Sequence, residues 1–118
     1  MDRKNIFSFR LGVDLIELQK AKNFYRTHKD GLNSFFNDKE ILYIRSSKRP
    51  HEALAALLAA KEAVFKALPA LGTGIAAFRN IEISHEKGNQ FSFPGLKLQV
   101  FKEKKYVVAH ALGSDRKI

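Results

Sequence analysis

Two carboxylates and two lysines carry most of the chemistry this sequence can offer. Asp14 sits inside a strand-like run, where aspartate is disfavoured by propensity. Glu62 follows Lys61 directly and precedes Lys66 by one helical turn. Two carboxylates on separate elements, with ammonium groups near and no Cys or His cluster, suit a hard, oxygen-seeking cation such as Mg²⁺. Such an ion takes one or two protein carboxylates and completes its shell with water and substrate phosphate. Gly72-Thr73-Gly74 reads as a turn whose amides can reach a phosphate. The histidines, His28, His51, His85 and His110, have no metal-ligand spacing on a helix, which argues against zinc. His110 shares a strand face with Tyr106, Val108 and Leu112 and reads as a satisfied or half-buried core histidine. There is no cysteine, which excludes disulfides, thiolate metal sites and a cysteine nucleophile.

Each of these residues also has a plain structural reading. At 100° per residue, Leu54, Leu57, Leu58, Phe65 and Leu68 form one face of a helix, and Lys61 falls near its middle. Lys61 then either snorkels along apolar surface or projects into a charged pocket. Glu62 and Lys66 are either a solvated ion pair or part of that pocket. Asp14 either faces solvent or pairs with Glu62. Ala55, Ala56, Ala59, Ala60 and Ala63 leave the helix slim enough for a backbone or a ligand to approach.

The elements that must position these groups follow from periodicity and punctuation. Across 118 residues, the length favours one domain, 1–118. Phe7, Phe9, Leu11, Val13 and Leu15 alternate with polar or small residues, which predicts a strand with a buried apolar face and Asp14 on the other side. A helix is expected from near Glu17 to Gly31, with Lys29 in its last turn. A second is expected over Phe35 to Ile44, starting near Asn37 or Asp38. A third is expected from Pro50, a good first helical residue, to Leu68. Short strands are expected at Asn80 to His85, Gln90 to Phe93, Leu96 to Phe101 and Tyr106 to Leu112. Gly88-Asn89 and Glu103-Lys104-Lys105 are the expected hairpin turns. Helices first and strands later predict an α+β fold, with a mostly antiparallel sheet packed on the long Ala-rich helix.

Lys and Arg number 21 against 12 Asp and Glu, a formal net charge of +9. An anionic partner is expected: nucleic acid, an acidic protein, a membrane surface or a phosphorylated small molecule. No zinc finger, RNP pattern or P-loop is present, so nucleic acid rests on charge alone. No apolar run is long enough to span a membrane and the first residues lack a secretory apolar region, so a cytoplasmic protein is expected.

Five segments, in order, resemble the short-form 4′-phosphopantetheinyl transferases, the holo-acyl-carrier-protein synthases. Leu11-Gly-Val-Asp-Leu-Ile-Glu-Leu18 is similar to that family's opening Gly-x-Asp-Ile-x-Glu strand, and Phe36-Asn-Asp-Lys-Glu40 to its Phe-Thr-x-x-Glu segment. Leu54 to Leu68 resembles its Leu-Ala-x-Arg-Phe-Ala-Ala-Lys-Glu-Ala signature. Gly72-Thr-Gly-Ile75 and Asn80-Ile-Glu-Ile83 follow.

The resemblance implies transfer of the phosphopantetheine arm of coenzyme A to a serine of an apo carrier protein, with release of 3′,5′-ADP, in fatty acid biosynthesis and lipid metabolism. Asp14 and Glu62 match the family's magnesium ligands. Lys61, Lys66, Gly72, Thr73 and Gly74 match residues around the coenzyme phosphates, and Glu62 and Lys66 are the candidate catalytic pair. Lys20, Lys22 and Arg26 would dock the acidic acyl carrier protein. A homotrimer with active sites between subunits is implied. Leu57 stands where the family has Arg, and Lys102 where it has His, the latter a candidate phosphate cation. These departures leave a rival reading, a catalytically impaired relative that binds the carrier protein or coenzyme A.

Overall fold

The computed structural model describes residues 9–72, 74–87 and 90–114. The first strand, β1 (Phe9–Glu17), runs directly into helix α1 (Leu18–His28). A 3₁₀ turn (Leu32–Ser34) leads to α2 (Asp38–Ser46), and α3 (Pro50–Ala67) follows with proline in its first turn. Asn37 caps α2 through a reciprocal pair: its side chain accepts from the Glu40 N–H, and Glu40 accepts from the Asn37 N–H. After a second 3₁₀ turn (Pro69–Leu71) come α4 (Gly74–Arg79), β2 (Ser84–His85), β3 (Phe91–Ser92), β4 (Lys97–Glu103) and β5 (Tyr106–Ser114). The sheet order is β1-β5-β4, all antiparallel, so the N-terminal strand pairs with the C-terminal one. The expected α+β class with an antiparallel sheet on the Ala-rich helix is what the chain adopts.

Helix α3 lies across one face of this sheet and is buried on nearly every side. Its alanines are the reason it can be: Ala55, Ala59, Ala60 and Ala63 have no exposed surface. The closest approach is at Gly12. A Cβ there would overlap the Ala63 carbonyl oxygen and press on the Ala67 N–H. Leu54, Leu57 and Val64 fill the core together with Leu32, Phe36 and Ile44 beyond the helix.

Three expectations are corrected. The alternation in β1 is real but its faces are reversed: Leu11, Val13 and Leu15 are each half or more exposed, while Gly12 is buried and Asp14 turns toward α3. The face with the smallest side chains meets the helix, because only there can two backbones come together. His110 is half-buried, as expected, but on that outer face rather than against the core, with its ring edge-on to Phe101. The stretch after Leu71, expected to be a turn, contains α4, and only Ser84–His85 of the strand expected from Asn80 is paired, with β3 in a separate two-stranded sheet. The β4–β5 turn is Lys104-Lys105, with Lys104 at φ 53. The Gly88-Asn89 turn and residues before Phe9 lie outside the described residues.

The contact at Gly12 makes a direct prediction. Gly12→Ala should destabilise the fold by about 3 kcal/mol, the upper range for overpacking, because both obstructing groups are backbone. Gly31→Ala, where a new Cβ meets only the His28 carbonyl at 3.9 Å, should be nearly neutral. Thermal melts of the two variants check this: G12A should lose roughly 10 °C, and equal melting temperatures would contradict it.

Candidate active site

Gly12 brings the strand and helix together, and two residues further on Asp14 reaches across to α3. Its Oδ1 lies 2.8 Å from the Lys66 ammonium, which also donates to the Val13 carbonyl at 3.2 Å. Lys66 is half-exposed, whereas Asp14 is mostly covered. Asp14 Oδ2 is the one buried side-chain atom among the described residues with no hydrogen-bond partner. Glu62, one turn before Lys66, is close enough to feel the Asp14 charge. Burial, and then that charge, push the Glu62 carboxyl above its ordinary value, with Lys66 pulling part of the way back. The hydrogen bond to Asp14 raises Lys66 above its ordinary value. Lys66 therefore pairs with Asp14 rather than forming a solvated pair with Glu62 alone.

Glu62 also lines an apolar cavity of about 380 Å³ with Phe24, Phe35, Leu58, Phe65, Gly74 and the α4 residues Ile75 and Phe78. Leu58 and Phe65 read from sequence as core positions; the structure leaves both half-buried, facing this cavity. Gly72 and Gly74 both have positive φ, 104 and 88, as a tight turn requires. Thr73 lies outside the described residues.

Other expected site residues are elsewhere. Lys61 has no exposed surface: its ammonium sits 2.9 Å from Glu40 and donates to the Arg79 carbonyl at 3.3 Å. This corrects the expectation of a phosphate-facing lysine, and of a snorkelling one. Lys102 is 3.1 Å from Glu52 near the start of α3, ten residues before Glu62 and so ~15 Å along the helix axis. It lines a separate cavity of about 410 Å³ with Lys48 and Arg49. Lys20, Lys22 and Arg26 are all exposed on α1. Lys22 and Arg26 fall within about 40° of each other around that helix, whereas Lys20 sits on another face, beside a cavity shared with Leu15, Phe24, Leu58 and Tyr106. Leu57 is fully buried in the core.

The cluster fits a hard divalent cation. A buried carboxylate oxygen without a partner costs about 1–3 kcal/mol, more when charged, and two carboxylates in each other's field raise one proton affinity. A cation between them relieves both. Among the described residues no three His, Cys, Asp or Glu side chains form a cage. The site suits an ion that keeps positions open for water and phosphate, as Mg²⁺ does.

The strain has a measurable sign. Glu62 holds its proton to higher pH in the folded chain than in the unfolded one, so stability falls as pH rises through that interval. Glu62→Gln removes the penalty. Without divalent cations, E62Q should melt above wild type at about pH 8, and the two should converge as the pH drops below the unfolded carboxylate value of about 4.3. Identical melting at pH 8 would contradict the raised carboxyl.

The chain has relatives, and it spans 61% and 54% of the length of two curated ones it matches. The family described as the 4′-phosphopantetheinyl transferase superfamily matches residues 10–116. A holo-[acyl-carrier-protein] synthase of Moorella thermoacetica is 38% identical over 79 residues, which span 67% of this chain and 61% of that relative. Among solved structures, the holo-[acyl-carrier-protein] synthase of Neisseria meningitidis superposes with a TM-score of 0.69 at 27% identity, covering 87% of this chain and 95% of that one. A Bacillus anthracis holo-(acyl-carrier-protein) synthase in complex with CoA (3′,5′-ADP) has the same fold, with a TM-score of 0.70 at 24% identity over 87% of this chain and 93% of that one. With the family matching almost end to end, the chain belongs to the 4′-phosphopantetheinyl transferase superfamily.

Proposed function

We propose that the chain transfers the 4′-phosphopantetheine arm of coenzyme A to a serine of an apo acyl carrier protein, releasing 3′,5′-ADP. The observation that carries this reading is the Asp14–Glu62–Lys66 cluster, with its unpartnered Asp14 oxygen, at the strand–helix contact. It sits in a chain whose relatives bear the name holo-[acyl-carrier-protein] synthase, one of them with CoA (3′,5′-ADP) bound. Asp14 and Glu62 would hold Mg²⁺, which would offset the charge of the coenzyme pyrophosphate. The serine Oγ attacks the phosphorus that bears the pantetheine arm, and the bond from that phosphorus to the ADP phosphate oxygen breaks. The serine proton passes to a Glu62 carboxylate oxygen or to a water beside it, either of which is placed next to the Asp14–Lys66 pair. The electron pair leaves on the ADP phosphate. Lys66, freed from Asp14, offsets charge on the phosphates, and Gly72 and Gly74 would offer backbone amides to the same group.

A homotrimer completes the reading. Leu11, Val13, Leu15, Phe101 and Leu112 give the outer sheet face a broad apolar surface that a lone chain leaves in water. Covering it with copies of the chain turns the sheets inward. Lys102, distant from its own subunit's Asp14 and Glu62, then serves a neighbour's coenzyme phosphate. The charge of +9 and the exposed Lys20, Lys22 and Arg26 suit an acidic carrier protein of fatty acid biosynthesis, in the cytoplasm. Among the described residues no helix is long and apolar enough to cross a membrane. The rival reading, a coenzyme A or carrier binder without turnover, is favoured by one observation: Leu57 is packed into the core where the family's arginine would stand.

The test is mass spectrometry of apo carrier protein incubated with the chain, coenzyme A and Mg²⁺. A gain of the phosphopantetheine mass is expected, and Asp14→Ala and Glu62→Ala should each slow it at least ~100-fold, the scale of a lost metal clamp. Coenzyme A binding without a mass shift would establish the binder instead. Charge reversal at Lys22 and Arg26 should raise KM for the carrier ~10-fold and flatten its salt dependence while leaving coenzyme A affinity unchanged. Steady-state kinetics at two ionic strengths check this; an equal loss of coenzyme A affinity would contradict the docking assignment.

A further inference from the structure

Glu40 and Lys61 are the buried charged residues among those described, at 3% and 0% exposure, and the proposed reaction uses neither. The Glu40 carboxylate is fully committed. Its Oε1 accepts from the Asn37 N–H at 2.9 Å and from the Lys61 ammonium at 2.9 Å, and its Oε2 accepts from the Ile83 N–H at 3.0 Å. Lys61 adds its hydrogen bond to the Arg79 carbonyl, with Phe36 and Phe78 rings 5.3 and 5.2 Å from its ammonium. Arg79 in turn donates from Nε to the Asn33 carbonyl at 2.6 Å. One ion pair thus joins the start of α2, the middle of α3, the end of α4 and the chain entering β2.

Helix α4 needs such a tie. It is six residues long, and only Phe78 of it is buried. Yet Gly74, Ile75 and Phe78 line the same cavity as Glu62, the residue next to Lys61. Burying a lysine and a glutamate is costly, and an apolar pair of similar volume is often as stable. Stability alone therefore gives a weak reason for the pair.

We propose that Glu40–Lys61 is a positioning pair for the coenzyme site: it fixes α4 against α3, so the cavity wall α4 shares with Glu62 stands in place before coenzyme A arrives. The inference rests on the proposed function. Lys61 acts through Arg79 and α4 and does not touch the coenzyme. A wall ordered in advance lowers the ordering cost of binding, so its loss weakens affinity and spares the chemical step.

Calorimetry with coenzyme A on the full chain tests this, using wild type, Glu40→Gln, Lys61→Met and the double variant. Each single variant should lose stability, because it leaves half of a buried pair. The double variant should regain most of the wild-type melting temperature, yet bind coenzyme A ~10-fold more weakly with kcat at saturation changed less than about twofold. Wild-type affinity in a stable double variant would overturn the proposal, making the pair merely structural. Full affinity in Glu40→Gln beside weakened binding in Lys61→Met would also overturn it, making Lys61 a direct ligand. Should the double variant not fold, amide hydrogen exchange of wild type decides. Before coenzyme A is added, the Asn80 and Ile83 N–H groups, bonded to the Ala76 carbonyl and to Glu40, should already exchange slowly, and open-chain exchange at either would overturn the proposal. Absence of any coenzyme A binding by wild type would defeat the proposed function first and this inference with it.

Discussion

The contact between Gly12 on β1 and the Ala63–Ala67 backbone of α3 is the constraint on which the rest depends. Because neither side carries bulk, the strand and helix touch backbone to backbone, and a residue two positions along the strand can reach the helix surface with a short side chain. Asp14 does so. Glu62 and Lys66 answer it from the helix, one turn apart. The alanines of α3 extend the same close packing across β5 and toward β4. Asp14, Glu62 and Lys66 are thus mounted on two elements in backbone contact, which is where precision is easiest to maintain. The arrangement also leaves a cost in place: an unpartnered carboxylate oxygen on Asp14 and a Glu62 carboxyl pushed toward its neutral form. Such local cost is characteristic of sites that await a ligand.

Much of this was legible beforehand, for reasons that can be traced to single residues. Pro50, Asn37 and the Lys104-Lys105 turn mark boundaries by backbone chemistry that acts locally, and the elements begin and end close to them. The faces of β1 were not legible. Alternation divides a strand into two sides but does not say which side meets the core. The apolar set, Leu11, Val13 and Leu15, would be assigned inward if one chain had to bury everything itself. Here the inward side belongs to Gly12 and Asp14, and the apolar side faces outward. Helix α4 escaped notice because six residues are too few for a periodic signal.

Lys61 and Lys66 show the same limit in the site. Helical arithmetic places Lys61 correctly in the middle of an apolar face and correctly marks it as inconsistent. Its partner, Glu40, is 21 residues away on another helix, and no local rule points to it. Lys66 has Glu62 one turn before it, the obvious partner on a helical wheel, but its side-chain hydrogen bond goes to Asp14, 52 residues earlier. Long-range pairing is set by how elements pack, and that packing depends here on glycine and alanine, residues that announce little on their own.

The central claim is that Asp14 and Glu62 together make one divalent-cation site at the strand–helix contact. Titration of the metal-free chain with Mn²⁺ as a Mg²⁺ probe, followed by electron paramagnetic resonance of the free ion, tests it without any coenzyme or carrier. The account predicts one saturable Mn²⁺ site per chain that is lost in Asp14→Asn, a variant that keeps the size of the side chain. Undiminished Mn²⁺ binding in folded Asp14→Asn would contradict it.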